Sequence, residues 1–138
     1  MAVVCKVVFF AAILIGVLQA EKYTAKWDNI NVDEILSSER LLKNYMNCLM
    51  ERGSCTPDGA ELKKNLPDAL ETDCSKCTDK QKENTEKVVD FLIIEKPDWW
   101  EELQKKYDPT GIYYEKKKDV IEERTKEKRE KKEKAKKE

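Results

Sequence analysis

The chain has 138 residues, 27 Lys+Arg against 28 Asp+Glu, a formal net charge of −1 and no histidine. One small domain is expected from that length. The missing histidine removes the commonest general base, metal ligand and physiological pH switch, and no Walker-type, G-x-S-x-G or G-x-G-x-x-G pattern occurs, so an enzyme is not expected and neither metal nor cofactor is implied.

The chain begins with an apolar run, Val7 to Leu18, preceded by Lys6 and closed by Ala20 before the polar Glu21. That is the anatomy of a secretory leader cut after Ala20. The run is too short for a spanning helix, which needs roughly 20 apolar residues. The expected organisation is a signal peptide at 1–20, a helical domain at 21–121 and a charged tail at 122–138, with the product extracellular. Stable membrane insertion is not expected. Residues 21–114 carry 14 basic and 20 acidic side chains, a net of −6; residues 115–138 carry 12 and 8, a net of +4. An acidic body argues against nucleic acid. The basic excess of the tail is interleaved with acids, as in a solvated segment.

After the leader the periodicity is helical throughout. A helix starting at Asp33 places Ile35, Leu36, Leu41 and Leu42 in the core. The stretch Glu39–Arg52 sets Leu42, Tyr45, Met46, Leu49 and Met50 on one face, with Gly53 as the stop. Thr56-Pro57 opens the next helix as cap and first residue. Leu62, Leu66, Ala69 and Leu70 form its stripe, and Pro67 predicts a kink or an early end. Thr78-x-x-Gln81 is a capping box. The helix it starts becomes apolar nearly all round at Val88, Val89, Phe91, Leu92, Ile93 and Ile94, so it belongs in the middle of the fold. Pro97 ends it. Trp100, Leu103 and Tyr107 share a side of the following helix. Asp108-Pro109-Thr110-Gly111 reads as a type I turn, and Ile112, Tyr113 and Tyr114 fold back onto the body. With no sustained two-residue alternation, the fold class is all-α, a compact bundle of five to six helices.

The tail offers Glu–Lys pairs four apart, Glu122–Lys126, Glu127–Lys131, Glu130–Lys134 and Glu133–Lys137, each worth a few tenths of a kcal/mol. Without an apolar face it is expected to be frayed helix or disordered.

Four cysteines remain after the leader: Cys48, Cys55, Cys74 and Cys77, spaced C-x6-C-x18-C-x2-C. A secreted chain disfavours a four-thiolate zinc site, and Cys74-x-x-Cys77 lacks the strand–helix context of a redox motif. Structural disulfides are expected, and spacing alone leaves three pairings open. Adjacent pairing would close loops of 8 and 4 residues, worth roughly 2.5 and 2 kcal/mol.

The cysteine spacing, the KYTAKWDNINVDEIL segment at Lys22–Leu36, the block from Tyr45 to Cys77 and KKYDPTG at Lys105–Gly111 together resemble the insect chemosensory proteins, the olfactory-segment-D-like, pheromone-binding family. The resemblance covers about residues 22–115. It implies six helices around an apolar channel, disulfides Cys48–Cys55 and Cys74–Cys77, and a monomeric carrier of small hydrophobic ligands such as fatty-acid-like compounds and pheromone components. It places channel aromatics at Trp27, Tyr45 and Trp100, with Trp27 where the family usually has tyrosine and Lys117 near another family tyrosine. The expected ligand-binding set is Trp27, Tyr45, Met46, Leu49, Leu66, Leu70, Val88, Leu92, Trp100 and Tyr113. Tyr45 and Tyr113 would serve a polar head group, and Met46 and Met50 would adapt to guest shape. The alternative is a secreted structural or signalling protein acting through protein partners, with the tail as its contact. Burying a dozen methylenes yields on the order of 10 kcal/mol. Association and ordering cost about 4–15 kcal/mol, so affinity near the micromolar range is expected when the ordering cost is small, with weak discrimination between chain lengths.

Overall fold

The computed structural model describes residues 21–137; the leader expected at 1–20 lies outside them. The described residues form a short 3₁₀ turn, Ala25–Trp27, and six α-helices with no strand: α1 Val32–Ser37, α2 Glu39–Leu49, α3 Pro57–Glu71, α4 Asp79–Glu95, α5 Pro97–Tyr107 and α6 Ile112–Ala135. Both disulfides join sequence neighbours, Cys48–Cys55 and Cys74–Cys77.

Helix boundaries follow local chemistry. Thr56 caps α3 by accepting from Gly59 N–H at 3.3 Å. A side chain at Gly59 would crowd the Thr56 hydroxyl and the Cys48 sulfur, so glycine lets the first turn of α3 lie against the disulfide. Thr78 and Gln81 close the capping box reciprocally at 3.1 Å in both directions. Gln81 also donates to the Thr24 carbonyl and to Asp28, and Thr78 Oγ1 donates to Asp28. The N-terminal segment is thereby strapped to the start of α4. Tyr23 extends the strap: its N–H donates to the Lys76 carbonyl and its hydroxyl to Asp68.

Several boundaries differ from the expectations. The first helical stretch is split at Ser38, which is extended (φ −103°, ψ 106°) and caps α2 through its side chain. Helix α2 ends at Leu49, before Gly53, because Glu51 takes a left-handed conformation (φ 59°). Arg52 N–H then donates to the Asn47 carbonyl at 2.8 Å, a Schellman closure achieved without glycine. Asp73 (φ 53°) and Cys74 N–H to Ala69 O do the same for α3. Pro67 does not end α3, which runs one more turn to Glu71 with the exposed ring at its surface. A proline removes one backbone bond to the preceding turn and leaves the others intact.

Helix α4 is central, packing against α1, α5 and α6, while α2 bridges α1 and α3. The turn after α5 closes with Gly111 N–H donating to the Asp108 carbonyl at 2.9 Å. The Asp108 carboxylate then accepts the N–H groups of Tyr113 and Tyr114 at the start of α6.

The tail is ordered helix, contrary to the expectation of fraying or disorder. Helix α6 runs unbroken across the boundary expected at 121/122 and on to Ala135. What holds it is charge instead of an apolar stripe. Asp90 of α4 is fully buried and accepts from Arg124 Nε through both oxygens and from Lys128 Nζ, each at 2.7 Å. Lys132 pairs with Glu95 one turn further on, and Ile121 and Thr125 are buried beside this seam. These tail cations reach across to α4, not along their own helix.

Candidate functional site

The helices surround a partly open hollow of about 320 Å³, within the range of roughly 300–1,000 Å³ usual for small-molecule sites. Helix α2 contributes Tyr45, Met46 and Leu49, recurring at three- and four-residue steps on its inner face. Helix α3 adds Leu66 and Leu70, α4 adds Val88 and Leu92, and α5 adds Trp100. Trp27 reaches the hollow from the 3₁₀ turn and Tyr113 from the start of α6. The structure therefore brings all ten of the expected ligand-binding residues onto one wall surface. Met50 does not belong to it; it stands at the C-cap of α2, turned out of the inner face.

Sequence reasoning left out part of the wall. Tyr23, Ile30 and Val32 line it from the N-terminal segment, and Gln104 from α5. Ile35, Leu36, Leu62, Leu103 and Tyr107, which periodicity assigns to apolar helix faces, line the hollow instead of a solid centre. Leu103 lies three residues after Trp100 and four before Tyr107, so helical spacing alone carried that signal. The polar positions Asn65, Gln81, Asn84 and Thr85 carried none.

The aromatic groups are held firmly. The Tyr45 hydroxyl donates to Asp58, so it is already engaged within the protein. Burial, reinforced by that carboxylate, raises the Tyr45 pKa to about 12. Burial opposes ionisation of Asp58, but hydrogen bonds from Tyr45, Thr56 and backbone N–H groups outweigh it and hold the pKa below the usual value. Tyr107 donates to the Leu49 carbonyl at 2.5 Å and joins α5 to the end of α2. Burial raises the Tyr113 pKa. Trp100 and Tyr114 meet at a ring separation of 6.4 Å and an angle of 58°, anchoring α6 on α5. Lys117 is no part of the wall; it pairs with Asp73 at 2.8 Å and fixes α6 to the α3–α4 corner.

Among the described residues no group of three or more Cys, Asp or Glu is placed to hold a metal ion, and no helix is long and apolar enough to cross a membrane. The chemistry available to the hollow is apolar enclosure with a few hydrogen bonds.

A profile of the insect pheromone-binding family, A10/OS-D, matches residues 23–115. The chain belongs to that family. Ejaculatory bulb-specific protein 3 of Drosophila melanogaster is 58% identical over 100 residues, covering 72% of this chain and 79% of that protein. Allergen Tha p 1 of Thaumetopoea pityocampa is 55% identical over 102 residues, covering 74% and 81%. Among solved structures, a chemosensory protein in complex with bromo-dodecanol superposes with a TM-score of 0.69 at 52% identity, covering 72% of this chain and 99% of that one. Antennal chemosensory protein A6 from the moth Mamestra brassicae gives 0.61 at 48% identity, covering 67% and 91%. The family is one of binding proteins, not enzymes.

Proposed function

We propose that this protein is a secreted, monomeric carrier that holds one small hydrophobic molecule, of the fatty-alcohol or pheromone type, in the hollow between α1 and α5. The observation that carries this reading is the hollow itself: about 320 Å³ walled mainly by apolar side chains of five helices, in a chain whose core would otherwise be expected to close. The similar structure that contains bromo-dodecanol supports it, because a dodecyl chain is the kind of guest such a wall accepts. Trp27, Tyr45, Met46, Leu49, Leu66, Leu70, Val88, Leu92, Trp100 and Tyr113 are the residues proposed to touch the guest. An apolar fluorescent probe should bind saturably at about one per chain and be displaced by long-chain alcohols, with Trp27 and Trp100 emission quenched as the hollow fills. Absence of saturable binding across several lipid classes would overturn the reading.

Action through a protein partner is a second reading, favoured by the long exposed helix beyond residue 121. A truncation that tests it should fall after Lys132. Cutting at Glu122 would strip Arg124 and Lys128 from buried Asp90 and confound partner loss with unfolding.

A further inference from the structure

The wall of the hollow has a sign. The chain carries 27 Lys+Arg, yet among the described residues no lysine or arginine lines the hollow, whereas Asp58, Glu61 and Asp108 do. Asp58 and Glu61 lie three residues apart on α3, followed by Asn65, which donates to Glu61 at 2.9 Å. The Asp58 carboxylate is held ionised by its hydrogen bonds from Tyr45 and neighbouring groups. Asp108 is fixed by two backbone N–H groups of α6. The nearby cations are occupied elsewhere: Lys63 and Lys106 on Glu51, Lys76 on Asp68, Arg124 and Lys128 on Asp90, and Lys117, whose charge acts on the Tyr113 hydroxyl together with that of Arg124, on Asp73. Asn84, Thr85 and Gln104 add uncharged hydrogen-bonding groups to the wall. The Tyr113 hydroxyl, kept neutral by burial, makes no hydrogen bond to the protein among the described residues.

We infer that the hollow selects against anionic amphiphiles: it takes long-chain molecules with uncharged heads, such as alcohols, and excludes the ionised carboxylate of a free fatty acid. This rests on the carrier reading and narrows its ligand class. An anionic head inside the hollow finds no cation on the wall, only Lys117 and Arg124 beyond Tyr113, each already paired with a carboxylate, and it lies near wall carboxylates. With an effective permittivity of about 20, one such repulsion across several ångströms weakens binding roughly tenfold. An alcohol head needs only a donor and an acceptor, which Tyr113 and the wall amides provide.

The test is displacement of N-phenyl-1-naphthylamine, an uncharged probe, by 1-dodecanol, dodecylammonium and laurate at neutral pH, each below its micelle concentration. Laurate should bind at least roughly tenfold more weakly than dodecanol, and more weakly than dodecylammonium. The two ions both lose hydration, so their order reports the sign of the wall. Glu61→Gln keeps an acceptor for Asn65 and should improve laurate roughly tenfold relative to dodecanol measured in the same variant. Laurate equal to dodecanol, or tighter than dodecylammonium, would overturn the selectivity and leave the carrier reading standing. Failure of the probe and all three amphiphiles to bind would overturn the carrier reading and this inference with it.

Discussion

The two sides of α4 are built on opposite principles. One side, with Val88, Val89 and Leu92, faces the hollow; the other, with Asp90 and Glu95, is bonded to α6 by Arg124, Lys128 and Lys132. Apolar side chains usually make the solid part of a small protein, and charges its surface. Here the apolar wall surrounds space and a buried carboxylate with two cations makes the firm joint. Of the buried apolar residues among those described, Leu42, Met46, Leu49, Cys77 and Leu92 border the hollow, and only Cys48 and Ile121 stand apart from it. A bundle whose greasy face is left open for a guest needs cohesion from elsewhere. The strap of Tyr23, Thr24 and Asp28, the two disulfides and the α4–α6 seam provide it.

Breaking the seam should have the largest effect. The double substitution Arg124→Ala, Lys128→Ala leaves Asp90 buried without a cation and should cost roughly 3–5 kcal/mol in urea unfolding. Asp90→Ala should cost less, since both cations are partly exposed and can turn to water. Equal costs would mean that Asp90 is hydrated once released.

Cavity-forming substitutions sharpen the contrast next. Ile121→Ala, in the solid seam, should lose about 3 kcal/mol, within the usual range for a core truncation. Leu66→Ala enlarges a hollow that already exists and should lose about 1 kcal/mol. Thermal unfolding of the two variants checks the order, and a larger loss for Leu66→Ala would mean that the hollow is closed in solution. Filling it instead, with Leu70→Trp, should cut probe affinity at least about tenfold with little change in melting temperature, since Leu70 is half-buried and the added ring occupies guest space.

The smallest effect is alkaline. Tyr45 and Tyr23 have pKa values raised from 10.0 to about 12, by burial first and then by Asp58 and Asp68. Below pH 10 both phenols are protonated, folded or unfolded, and their contribution is complete. Between pH 10 and 12 the unfolded chain releases protons that the folded chain retains, so stability falls. Tyr45→Phe should flatten that part of the urea midpoint–pH profile.

Much of this architecture was legible in the sequence because local rules and global packing agree. Thr56-Pro57 and Thr78-x-x-Gln81 start their helices as capping chemistry requires, and Tyr45, Met46 and Leu49 repeat at the spacing of one face. The cysteine spacing together with the family resemblance indicated which of three pairings to expect. What escaped notice depends on contacts distant in sequence. Asp90 and Arg124 are 34 residues apart, and in a Lys/Glu-rich tail no local signal separates cations bound to α4 from cations facing water. The left-handed Glu51 and Asp73 have no Gly or Asn to announce them. The hollow itself is invisible to periodicity, because a residue facing a cavity and one facing a packed core have the same spacing.

The most direct measurement is a crystal structure of the protein grown with 1-dodecanol. A single extended chain of density running between Tyr45 and Met46 of α2, Leu66 and Leu70 of α3, and Val88 and Leu92 of α4 is the predicted result. A centre filled by those side chains, with the alcohol absent or bound only at the surface, would contradict the account.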